Sequence, residues 1–321
     1  MLPYARAFAR HETFHPRYGW LRKAVVESSM SPDVFVRADA TVSLGVGKNM
    51  VRAIRYWASA CGLIEQRPLA DRPRLAGSAP TQLGLFLLGP DGADPYLEEL
   101  SSLWLLHWQL VRMGSMAAVW YLTFNRFPHR EFTDDLLADW LCRDLTVDGV
   151  TDVARGSIEK DVSCLLRMYG PVPGDFPETL VSPFANLRLI DRIEGKPARH
   201  RITYGPKSGL PVELVAIVAL DQLSTGGPET RSIGLASLAT AESSPGKVFA
   251  LPENELATAL EEAGRTVAGF EVGIFAGARR LMLTSSVEAA VAGLLARLYP
   301  RRPFDIDLDD LRRTIVQETA A

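Results

Sequence analysis

The sequence predicts a mainly α-helical protein with small β-hairpins, an α+β chain built from tandem winged-helix-like domains. Three observations predict it. Apolar residues recur at helical spacing through most of the chain. Short β-leaning runs flanking turn composition follow groups of helices. A glycine-rich turn, Leu44-Gly45-Val46-Gly47, opens a helix with one apolar and one cationic face. The chain has 321 residues, 47% hydrophobic and 23% charged, so it can bury a sizeable core and is not a disordered chain.

Taken in order, residues 18–29 read as a first helix and residues 32–43 as a second helical element. Gly45 and Gly47 then let the backbone turn where a Cβ would be strained. In the helix that follows, Met50, Ile54, Trp57 and Cys61 share one face, while Lys48, Arg52 and Arg55 share another at i, i+4 and i+7. A helix with one face for a core and one for phosphates suits a DNA groove, with Asn49 at its start as a further contact. The plainer reading of the same cations is a solvated helix face. A nucleotide-binding loop is excluded, because Val42 stands where its first glycine is needed and Asn49 where its hydroxyl is needed.

Gly62 caps this helix, and residues 63–65 and 81–87 are expected as two strands of a wing across a Pro- and Arg-rich loop. Asp94-Pro95 is expected to start the next helix, carrying Leu97, Leu100, Trp104 and His107, which packs the domain or makes a dimer. The order then returns. Thr133 or Asp134 caps one helix and Ser157 another. Runs 187–193 and 199–204 flank Glu194-Gly195-Lys196-Pro197, giving a hairpin that carries Arg192, Lys196, Arg199, His200 and Arg201. After a linker at 224–228, helical patterns from Ile233 and Pro252, a strand-like run 270–284 and a last helix 287–299 suggest a small α+β unit. Three domains are thus expected: a winged-helix DNA-binding domain with a trailing helix (1–128), a winged-helix-like domain with a basic hairpin (129–223) and a C-terminal α+β domain (224–321).

A net charge of −3 provides no global attraction to nucleic acid, so any DNA surface must be local. Cys61, Cys142 and Cys164 are odd in number and widely spaced, which supports neither a disulfide framework nor a zinc site. The N-terminus lacks the apolar stretch of a secretory signal. The most membrane-like stretch, residues 103–122, contains His107, Gln109 and Arg112 and reads as buried helix. No membrane association and a cytoplasmic location are expected.

The segment from Phe14-His15-Pro16-Arg17-Tyr18-Gly19-Trp20 to Lys23-Ala24, the 44–51 turn, the stretch from Asp91-Gly92-Ala93-Asp94-Pro95 to Trp104-Leu105-Leu106-His107-Trp108, and Ser182-Pro183 together resemble a bacterial family formerly of unknown function. Its members resemble the SspB-type proteins of DNA phosphorothioation defence systems, in which sulfur replaces a non-bridging phosphate oxygen. The resemblance covers most of the chain and is more specific in the N-terminal motifs than in the last third. It implies nicking of one DNA strand beside a cysteine desulfurase, an ATP-using sulfur-transfer enzyme and an ATPase.

Hydrolysis of a phosphodiester calls for carboxylates that hold Mg²⁺ or Mn²⁺. Asp175, followed nineteen positions on by Glu194-Gly195-Lys196, has the loose form of a restriction-type nuclease core: two acids as metal ligands and a lysine to assist the water. The plain alternative is an ordinary hairpin turn. Glu159 and Asp161 are further acids at a helix start, and His11, Glu12 and His15 form a possible acid–base group beside Arg17 and Lys23. His107 reads as a hydrogen-bonded core residue and His200 as a surface residue of the hairpin. Arg17, Arg22 and Lys23 are either phosphate contacts or surface solubility. The functional expectation is a double-stranded-DNA-binding nickase, alternatively a non-catalytic DNA-binding scaffold or regulator. A dimeric interaction subunit built on the 103–108 helix is a third class.

Overall fold

The computed structural model describes residues 2–69, 74–171, 181–275 and 277–300. Its architecture is α+β: many helices with small antiparallel sheets. The chain divides into two compact units, Met1–Thr203 and Tyr204–Ala321. Helix Val212–Ser224, at the end of the expected middle domain, packs within the second unit.

The first unit opens with helices α1 (Trp20–Met30), α2 (Ala40–Leu44) and α3 (Lys48–Ala60), followed by the antiparallel pair β1 (Ile64–Pro68) and β2 (Ala76–Pro80). Helix α1 buries Trp20, Leu21, Ala24, Val25 and Ser28, the stripe that its sequence period dictates, and packs it on α3. Of the expected element 32–43, only its end is helical. Gly45 ends α2 in the left-handed region at φ 63°, with its N–H on the carbonyls of Thr41 and Val42. Gly47, by contrast, is extended at φ −67°, a conformation open to any residue, and serves as N-cap of α3.

The strand paired with β1 lies earlier in the chain than expected, at Ala76–Pro80. Residues 82–88 form helix α4 (Gln82–Leu88), because the Thr81 hydroxyl accepts a hydrogen bond from the Gly84 N–H at 3.0 Å and starts a helical turn. Gly84 packs so closely that a Cβ there would lie 2.1 Å from the Leu63 carbonyl oxygen. Asp94 does not open a helix either. It is buried, and its carboxylate accepts from the N–H groups of Glu98 and Glu99, ahead of α5 (Leu100–Val111). Helices α5 and α6 (Ala118–Asn125) hold the unit's aromatic core, including Trp104, Trp108, Trp120 and Tyr121. Helix α5 is buried continuously from Ser102 to Val111, so it packs the unit and leaves no apolar face there for a second copy. No helix among the described residues is long and apolar enough to cross a membrane.

Strand β3 (Glu131–Phe132), helix α7 (Asp134–Val147, capped by Thr133), helix α8 (Arg155–Tyr169), a 3-10 turn (Pro183–Leu187) and strands β4 (Ile190–Ile193) and β5 (Arg199–Ile202) complete the unit. Ala154, not Ser157, is the N-cap of α8. The basic hairpin is present as expected, with β5 in the middle of a β3-β5-β4 antiparallel sheet.

In the second unit, α9 (Val212–Ser224) is buried from Leu214 to Leu220 and packs on α12 (Glu253–Thr266) and α13 (Val287–Leu298). Ile233 lies in β6 (Ser232–Gly234) and not in a helix. α10 (Leu235–Thr240) and α11 (Pro245–Val248) follow it, and β6 joins β7 (Phe270–Phe275) and β8 (Ala278–Leu283) in a sheet of order β6-β8-β7.

Candidate nucleic-acid interface

Helix α3 carries the expected division of faces. Ile54, Trp57 and Cys61 are fully buried, whereas Lys48, Asn49 and Arg52 are exposed. Met50 is half-buried, as is Arg55, whose guanidinium donates to the Ala76 carbonyl at 2.8 Å and ties the helix to β2. The Arg52 guanidinium lies 3.2 Å from the Glu12 carboxylate.

Glu12 belongs to an N-terminal strap to which sequence periodicity assigns no element. The strap is fixed by long-range hydrogen bonds. The Tyr4 hydroxyl donates to Asp148 at 2.5 Å, the Ala9 N–H to Asp161 at 3.0 Å, and the Arg167 guanidinium to the Thr13 carbonyl at 2.8 Å. The Trp57 indole N–H donates to the Phe14 carbonyl at 2.8 Å, and the Asn186 amide to the Tyr18 hydroxyl at 2.8 Å. Ala9, Glu12 and Thr13 all have positive φ, at 53°, 50° and 66°. Three left-handed non-glycine residues within five positions store strain, which the bonds to α3 and α8 hold in place. At the centre, His11 Nε2 meets Asp161 Oδ1 at 2.5 Å with both side chains buried, and the His11 ring stacks on Trp57 at 5.8 Å between centroids. Burial raises the Asp161 carboxyl above its ordinary range, and His11 opposes that shift.

Other cations of this module lack counter-charge. Burial holds Arg17 and Arg55 below the ordinary arginine pKa, with no carboxylate contributing to either shift. The Nε of Arg17, Arg22 and Arg55 is buried with no hydrogen-bond partner among the described residues. Arg17 lies over the rings of Phe14 and Trp20 at 5.5 and 5.2 Å, and Arg22 over Tyr96 at 5.1 Å. A half-buried cation without an anion is costly in isolation and is relieved by an incoming phosphate. Lys23 is engaged within the fold, where its ammonium donates to the Leu44 carbonyl at 2.7 Å and closes the end of α2.

On the hairpin, Arg192, Glu194 and Lys196 are exposed. Arg199 and Arg201 are both held by one carboxylate, that of Glu131 on β3, each at 2.9 Å. His200 meets Asp134 at 3.0 Å. His107 is a core residue as expected, with Nδ1 2.8 Å from the Tyr169 hydroxyl. Glu159 pairs with Arg155 at 2.8 Å on the surface of α8. Asp175 lies outside the described residues. Glu194 and Lys196 sit on the exposed turn between β4 and β5, and no group of three or more metal-ligating side chains occurs among the described residues. The described residues alone therefore supply no multi-ligand metal cluster.

The chain matches, over residues 8–299, the model of a family described as a protein of unknown function, DUF4007. Two solved structures are similar to it: a magnesium-ion-bound SspB crystal structure and an SspB crystal structure. Each is 36% identical, covers 97% of this chain and 94% of that chain, and superposes with a TM-score of 0.88. The chain belongs to the SspB-type family. No curated protein matches. In this SspB-type chain the similarity carried by the specific N-terminal motifs extends through the C-terminal third, where the sequence resemblance is less specific. Sequence reasoning missed the Glu131 clamp and the role of Arg167, because both depend on partners far away in the chain. The His11 to Asp161 pair was visible only as two separate candidates.

Proposed function

We propose that this protein binds double-stranded DNA through the α1–α3 and β1–β2 module, which acts as a winged helix with α3 as its reading helix. On this reading the DNA-contacting residues are Arg17, Lys48, Asn49, Arg52 and Arg55, with Arg192, Arg199 and Arg201 of the hairpin as a second set. The observation that carries it is the pairing of an exposed cationic α3 face with desolvated arginines that have no acidic partner. Membership of the SspB-type family supports a place in a DNA phosphorothioation system. There the protein nicks one strand and works beside sulfur-transfer enzymes and an ATPase.

The sulfur itself is not carried on this chain's buried thiols. Burial pushes Cys61 up to about 12 and raises Cys164 as well, so neither offers a thiolate to a sulfur donor.

The nicking site is proposed at Asp175, Glu194 and Lys196 with Mg²⁺ or Mn²⁺, the magnesium-bound relative supporting the metal. A DNA-binding scaffold without chemistry uses the same α3 face and is the second reading. Supercoiled plasmid incubated with the purified protein and Mg²⁺ separates them. Conversion to open circle, abolished by a chelator and by Glu194→Gln with duplex binding retained, is the expected result. Binding without conversion under any divalent metal leaves the scaffold, and no binding at low salt removes both.

A further inference from the structure

The first turn of α3 is bare. Its N-cap, Gly47, supplies no side-chain hydrogen bond, and the turn carries no acid. The fold itself does not call for glycine at this position: a φ of −67° and ψ of 159° suit any residue, and a Cβ there would meet nothing within 4 Å. A serine, threonine or aspartate would fit that space and cap the helix. What glycine adds instead is clearance on the outer side of the turn. The polar side chains of the α3 face proposed for DNA divide by chemistry. Arg52 is held by the Glu12 carboxylate at 3.2 Å, and Arg55 by the Ala76 carbonyl at 2.8 Å. Lys48 is exposed and offers donors only. Asn49 is exposed, and its amide makes no hydrogen bond among the described residues, so a donor and an acceptor are both available on one side chain.

We infer that Asn49 is the sequence-reading residue of this interface, its amide pairing with the N6 and N7 edge of an adenine in the major groove while Gly47 gives clearance to the neighbouring DNA backbone; this rests on the DNA-binding reading above. Adenine presents a donor beside an acceptor in that groove, the pattern a carboxamide matches through two hydrogen bonds. Guanine presents two acceptors there and suits a cation. The residues that reach base edges are those at the start of a reading helix, and Asn49 is the second residue of α3. The cations on either side of it then serve phosphates, which fix the register without reading sequence.

The test uses the full chain and a pool of duplexes with a randomised central segment, from which the bound fraction is sequenced. Native protein is expected to enrich adenine about tenfold at one position. Asn49→Ala should lose that preference and bind the selected duplex about tenfold more weakly, at the level of unselected duplex. Gly47→Thr, whose side chain caps a helix about as well as glycine, should keep the native melting temperature and bind duplex at least about threefold more weakly. Thermal melts check that both variants are folded. Binding by native protein without enrichment of adenine overturns the Asn49 assignment and leaves DNA binding standing. So does an adenine preference that Asn49→Ala retains. Native affinity in Gly47→Thr overturns the close approach at Gly47. Absence of native binding at low salt overturns the DNA reading and this inference with it.

Discussion

His11 Nε2 lies 2.5 Å from Asp161 Oδ1, joining the strained strap to α8 in a fully buried pair beneath Trp57 of α3. The Asp161 carboxylate also accepts from the Ala9 N–H through both oxygens. Removing it leaves the buried His11 ring and the half-buried Ala9 N–H without their acceptor, and orphaning buried hydrogen-bonding groups costs about 1–3 kcal/mol. Asp161→Ala should therefore lower the unfolding free energy by that order, and Asp161→Asn by clearly less. Urea titration of the two variants checks it, and equal losses would show that hydrogen bonding at this site is not what holds the strap.

Glu131 bridges Arg199 and Arg201, so it competes with any phosphate for both. Exposed pairs are weak, and Glu131→Gln should raise duplex affinity only roughly twofold to fivefold. The salt dependence should steepen as two cations become available. An affinity unchanged within error would place the hairpin off the DNA.

The thiols offer a second chemical check. Cys61 and Cys164 are buried and held protonated, whereas Cys142 on α7 is partly accessible. In the folded protein an aromatic disulfide reagent should titrate Cys142 alone, and all three cysteines once the chain is unfolded. Fast reaction of Cys61 in the native state would contradict the packing of α3.

In the second unit, burial lowers Lys207 to about 8 from its ordinary 10.5, while its ammonium donates to the Gly205 carbonyl at 2.9 Å. Between those values the unfolded chain binds the extra proton, so stability rises with pH across that window and falls as pH drops through about 8. Denaturant melts at pH 7.5 and 9.5 should show the second unit firmer at the higher pH. Lys207→Met should flatten the difference, and an unchanged slope in that variant would assign it to another group.

How far the sequence could be read follows from where the forces are local. The bounds of α3 and the β4–β5 hairpin were legible because helical period, Gly45 and the Gly195–Pro197 turn act over a few residues. Residues 82–88 misled because an apolar run fits a strand or a short buried helix equally. The Thr81 cap and the close packing of Gly84 on Leu63 decide it. The strap at 4–18 has no period at all. Its order comes from Asp148, Asp161, Arg167 and Asn186, more than 140 residues away in sequence. For that reason His11 and Asp161 could be named singly but not joined.

The central claim is that α3 presents its exposed face to DNA, and the salt dependence of duplex binding tests it most directly. Lys48→Ala/Arg52→Ala removes the two exposed α3 cations and spares Arg55, which ties the helix to β2. The double variant should bind more weakly, with the slope of log affinity against log salt shallower by about 2, close to 0.9 per lost phosphate contact. A folded double variant with native affinity and native slope would contradict the account.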